Sequence, residues 1–270
     1  MPNLPRFREL FNDISQYKGH SLFQDVLARW LGPARFAVDE LQRRFSRFAP
    51  SNCKDEGAQL AMWNMYALSR VNDLLLLSFQ SARREKSPSL SFGCYEDFFS
   101  DLGFSVVLAD AFTPFHHEVA HVEQAKSHDD QIQLLEHRWP GLMLGELMFS
   151  RSGVAVTGGR NNIAKEVAEH STLYFAFCRQ NRRTHDLSVG WGSNSQWRTD
   201  FRRDYESGGK RIYNADGKNL LNEPARGERD RDGLTEEERI ELCKHRCFIV
   251  TPNVSDDLWP FDDRFEEPCS

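Results

Sequence analysis

Residues 117–124 read His117-Glu118-Val119-Ala120-His121-Val122-Glu123-Gln124, and two secondary structures compete for them. Thr113-Pro114 just upstream offers an N-cap followed by proline at a first helical position, so a helix can begin before the stretch. In a helix, His117 and His121 lie one turn apart on one face with Glu118 beside them. The same residues also fit a strand, in which Val119, His121 and Glu123 alternate with Glu118, Ala120, Val122 and Gln124. In a regular strand both histidines still share a face, and Glu118 points the other way. The sequence leaves both readings open.

Outward from this stretch the texture differs on the two sides. Residues 4–17 form an amphipathic helical pattern, and Ser21 can cap a second helix that Gly32-Pro33 should break or kink. Val38, Leu41, Phe45 and Phe48 continue a helical stripe, and Leu60, Trp63, Ala67, Val71, Leu74 and Leu75 give a stronger one, with Arg70 and Asp73 expected at its edge. Residues 84–91 (REKSPSLS) are polar with a proline and mark the best boundary. Beyond them, helical pieces alternate with β-like runs at Phe104–Leu108, Gly153–Thr157 and Cys247–Thr251. Gly158-Gly159 and 214–217 (NADG) read as turns, the second one able to close a hairpin, and 218–233 as a polar loop. The expected fold is α+β: a helical N-terminal part, 1–88, packed on a mixed part, 89–270, the two also able to form one domain.

The chain of 270 residues is long enough to bury a full core. Its net charge of −6 argues against general nucleic-acid binding. The charge is uneven: residues 1–90 carry 13 basic and 9 acidic side chains, and 91–270 carry 21 and 31. No apolar run reaches membrane-spanning length and the N-terminal residues lack a secretory pattern, so a cytoplasmic protein without membrane or nucleic-acid partners is expected. The six cysteines are scattered and read as reduced thiols.

His117–His121 is an HExxH pentapeptide, and it resembles the zinc-binding motif of the zincin metallopeptidases over those five residues. The resemblance implies zinc held by His117 and His121, with Glu118 as the base that activates a bound water. It also requires a third ligand. Glu146, 25 positions after His121 in an apolar segment, is the first choice, with Glu166, Glu169 and His128 as alternatives. The longer HExxHxxGxxH form is absent. Glu118 and His117 could also work without metal, as an acid–base pair.

A second constellation spans 187–205, LSVGWGSNSQWRTDFRRDY. Trp191, Asn194, Gln196, Trp197, Arg198 and Arg202 combine flat aromatics, neutral hydrogen-bonding groups and guanidinium groups suited to an anionic or planar ligand. Trp197, Phe201 and Tyr205 recur at helical spacing. The competing reading is a structural corner tied by Arg–Asp pairs. Cys243, His245 and Cys247 match no common zinc spacing, and Thr235 with Glu238 makes a capping box. The expectation is a zinc-dependent hydrolase acting on a small molecule or peptide. The alternative is a non-catalytic, immunity-type protein that meets a protein partner through an acidic surface.

Overall fold

A computed structural model of the chain describes residues 7–49, 56–80, 89–186, 197–223, 233–252 and 262–269. Helices dominate its N-terminal third: α1 (Phe7–Gln16), α2 (Ala28–Phe45), α3 (Glu56–Leu76) and α4 (Phe92–Asp101). The strongest stripe read from the sequence becomes α3, rich in Ala, Leu and Met, which favour helix. Ala67, Val71 and Leu75 on it are fully buried. Arg70 and Asp73 are buried too, not at a helix edge, because each meets an opposite charge from the C-terminal part. Pro33 does not break the chain's second helix: a π-helical turn at Phe23–Leu27 runs directly into α2, which continues past it. Pro33 lies on the exposed side, where water can satisfy the carbonyl that its missing N–H leaves free.

The mixed part carries three sheets. Strands β1 (Ser105–Val107), β4 (Gly141–Leu144), β5 (Leu147–Ser150), β9 (Asp204–Ser207), β10 (Lys210–Tyr213), β12 (Asp263–Pro268) and β11 (Asn219–Leu220) lie in that order in a seven-stranded sheet. Its pairs are antiparallel except β11–β12, which is parallel. Strands β2 (His117–Gln124), β6 (Ser152–Gly158) and β3 (Gln133–Trp139) form a smaller sheet with β6 in the middle. Strands β7 (Leu173–Tyr174) and β8 (Thr184–His185) pair briefly, and the short helix α5 (Lys165–Ala168) precedes them. Helix α6 (Glu236–His245) opens on the capping box expected from the sequence, Thr235 and Glu238 each bonding the other's backbone.

The fold is therefore α+β, with N-terminal helices and C-terminal sheets. One apolar core joins α1–α4 to β4, β5, β9 and β10 through residues such as Leu10, Val38, Leu68, Phe99, Leu144, Leu147 and Tyr205. A second packs under the three-stranded sheet around Val119, Val122, Val154 and Val156. The expected boundary at 84–91 falls mostly outside the described residues.

Three local expectations change. Residues 197–203 are irregular, so Trp197, Phe201 and Tyr205 share no helix, and Tyr205 lies on β9. Of the β-like runs, 247–251 is no strand: the Glu241 carboxylate accepts the N–H groups of Ile249, Val250 and Thr251 and bends the chain around itself. The 214–217 turn, with Asn214 at φ 55°, links β10 to β11, which do not pair; the hairpin is β9–β10, closed by Gly208 and Gly209 at positive φ. Among the described residues no helix is long and apolar enough to cross a membrane.

Candidate functional site

HEVAHVEQ is a strand, β2. Its pairing with β6 decides where each side chain goes. His117, Glu118 and Val119 align with Ser152, Gly153 and Val154, and then His121, not Ala120, aligns with Ala155. Ala120 is the extra residue of a β-bulge, and one extra residue reverses the alternation beyond it. His117 consequently shares a face with Ser152 and Val154, whereas His121 shares the opposite face with Glu118. The expectation that a strand would keep both histidines on one face fails for this reason.

Each member of the HExxH pentapeptide has a separate environment. The His117 ring is buried, stacks on Phe112 at 5.7 Å between centroids and has Thr113 at Nδ1. Burial lowers its pKa to about 4. Glu118 is buried and clamped by Arg179, whose Nε and Nη2 donate to its two oxygens at 2.7 and 2.9 Å. Arg179 Nη1 also donates to Asp73 of α3 at 2.9 Å and to the Cys178 carbonyl. Burial works to raise the Glu118 carboxyl, yet Arg179 and then Arg182 hold it below its ordinary value. A carboxylate committed this way is a tie between the helical part and the sheet, not a free base.

The proposed third ligands are elsewhere. Glu146 sits at the β4–β5 turn beside Gly145 and accepts the Phe48 N–H at 2.9 Å, docking the chain after α2. His128 is exposed in the β2–β3 loop, and Glu166 is exposed and paired with Arg160. Among the described residues no group of three or more His, Cys, Asp or Glu side chains could hold a metal ion. The donor set expected for zinc therefore does not converge. Trp191, Asn194 and Gln196 lie outside the described residues. Trp197 and Arg198 pack back on the helices, Trp197 against Phe11 and Arg70, Arg198 over Trp63. Arg202 is buried beside Asp204 with its pKa pushed down to about 9 by burial. For these three side chains the arrangement is that of a structural corner.

What the bulge does build is a cleft of about 330 Å³ around His121. Ala120 and His121 enter it from β2, Arg138 and Trp139 from β3, Glu169 and His170 from the end of α5, and Phe79 from the end of the α3 segment. Strand β3 is also irregular here, its register on β6 shifting between His137 and Trp139. Two bulges on either side of β6 thus aim their side chains into one space, a use of bulges common beside functional sites. The size is at the lower end of small-ligand sites.

His121 is the chemically distinctive group of the cleft. Its Nδ1 lies 2.8 Å from Glu169 Oε1. That oxygen also accepts the Val122 N–H at 2.8 Å, so the open edge of β2 itself holds the carboxylate in place. The same edge is covered by Asn181, which donates to the Ala120 carbonyl, and Arg182, which donates to that of Val119. Bonding Nδ1–H to a carboxylate fixes the imidazole tautomer and leaves Nε2 as acceptor. His121 is 40% exposed, and among the described residues no group bonds its Nε2. Arg138 is 42% exposed and pairs at the surface with Glu136 at 3.3 Å.

Sequence reasoning named Glu169 as a possible metal ligand; the structure instead makes it the partner that orients His121. Arg138, Trp139 and Arg179 carried no motif and were missed. No protein family, curated protein or solved structure matches this chain.

Proposed function

We propose that this protein performs acid–base chemistry on a small organic anion held in the His121 cleft. His121 Nε2 takes and returns a proton, Glu169 keeps the tautomer, Arg138 attracts the anionic group and Trp139 with Phe79 packs its apolar part. The observation that carries this reading is the 2.8 Å His121–Glu169 contact inside a cleft. A base oriented by a second group is the recurring unit of proton-transfer sites. The zinc reading of HExxH receives no such support, because its ligands face apart and its glutamate is clamped.

The test is to incubate the protein with mixtures of small carboxylates, phosphates and esters and follow their consumption by mass spectrometry. A compound consumed by the wild type should be turned over about 10²–10⁴-fold more slowly by His121→Ala, as expected for loss of a general base. A compound that binds in the cleft yet is never consumed would make the protein a binding module, and no binding at all would remove the cleft as its site.

A further inference from the structure

Away from the cleft, a second enclosed space is lined by arginines. Asp204 is fully buried on β9 and receives three guanidinium groups: Arg151 Nη2 at 3.1 Å, Arg246 Nη2 at 2.9 Å and Arg202 Nε at 3.1 Å. Burial works to raise the Asp204 carboxyl, but the three arginines hold it well below the carboxylate range. Among the described residues Arg151 and Arg246 reach no other carboxylate. Both therefore hydrogen-bond to one and the same carboxylate, while Glu118 across the cavity also feels the Arg151 charge.

Their hydrogen bonds are also incomplete. Arg151 is 4% exposed, and its Nε and Nη1 are buried without an acceptor, as is Arg246 Nε. The Tyr213 ring lies 6.0 Å from the Arg151 guanidinium carbon, which eases the charge but accepts none of its in-plane N–H groups. Burying guanidinium donors without acceptors is costly, and natural interiors avoid it unless something else bonds them.

Arg151 and Arg246 both line a cavity of about 30 Å³, together with Asn72, Ser150, Arg179 and His245. A water needs ~10–15 Å³ on this measure, so the space takes about two waters or one small ion. The two carboxylates on its wall, Asp73 and Glu118, are already bonded to Arg179. Burial pushes the His245 pKa down to about 3, so that ring adds no positive charge.

We propose that the cavity bounded by Arg151 and Arg246 binds one monovalent anion of chloride size. The anion accepts the unmatched N–H groups of the guanidiniums that converge on Asp204. A phosphate or sulfate is too large for this space, and water satisfies the donors without the charge.

The test compares thermal unfolding in sodium chloride and in sodium gluconate at equal ionic strength, which removes general screening. Chloride should raise the midpoint saturably, by about 2–4 °C for a chain of this size, and Arg151→Met should abolish the difference. Coincident chloride and gluconate curves for the wild type would overturn the site. If Arg151→Met does not fold, wild-type crystals grown in bromide decide: an anomalous peak within hydrogen-bonding distance of Arg151 supports the site, and its absence there overturns it.

Discussion

Glu118 and Arg179 meet in the protein interior through two parallel hydrogen bonds of 2.7 and 2.9 Å, and Arg179 reaches on to Asp73. The glutamate of HExxH thus joins the three-stranded sheet to helix α3. Removing one partner of a buried ion pair leaves an uncompensated charge, which costs about 3–5 kcal/mol. Arg179→Met, which keeps the stem and strands two carboxylates, should destabilise by about that amount in urea unfolding. A loss below about 1 kcal/mol would mean that the triad contributes little.

Gly153 is the residue of β6 opposite both Glu118 and Trp139. A Cβ placed there would lie 2.1 Å from Trp139 Cε2. Gly153→Ala must therefore push the indole off the strand and into the cleft. The expected cost is about 1–3 kcal/mol, with weakened ligand binding at the His121 cleft. An alanine variant of wild-type stability and affinity would show that the indole can shift freely.

Three histidines whose pKa burial lowers, His116, His117 and His245, set the first stage of acid sensitivity. Burial lowers His117 to about 4 and His245 to about 3, from about 6.5 in the unfolded chain. A depressed histidine stabilises the fold while neutral, so its contribution is present above about pH 6.5 and is lost as the pH falls toward those folded values. Glu118 and Asp204, held low, lose theirs only at still lower pH, and Asp73, raised by burial, acts in the opposite sense. Urea midpoints should fall between pH 6.5 and 4, and His117→Gln should make that fall shallower. An unchanged slope would remove His117 from the account.

Metal should be dispensable. With His117 and His121 on opposite faces of β2, chelation should leave activity and stability unchanged, and mass spectrometry should find no zinc that His117→Ala and His121→Ala remove together. About one zinc per chain, lost in that double variant, would restore the metallopeptidase-like reading.

Local signals in the sequence were readable, and pairings across the chain were not. The α3 stripe and the Thr235–Glu238 box depend on neighbours three or four residues apart, and both took the form their spacing implies. HEVAHVEQ showed its strand alternation, but the bulge at Ala120 exists only through the register with β6, about 35 residues away. Glu169 stands out in the sequence only as an alternative third ligand for HExxH, whereas Arg179 gives no signal, since its two acids come from α3 and β2. Arg151, Arg246 and Asp204 are likewise far apart in sequence and meet only in the folded core.

The most direct test of the cleft is the tautomer of His121, read by ¹⁵N NMR on labelled protein. A proton on Nδ1 is expected in the wild type, with a mixed or reversed tautomer in Glu169→Gln and a shift of the Nε2 resonance when an anionic ligand is bound. A proton on Nε2 in the wild type, unmoved by Glu169→Gln, would contradict the claim that Glu169 prepares His121 for proton transfer.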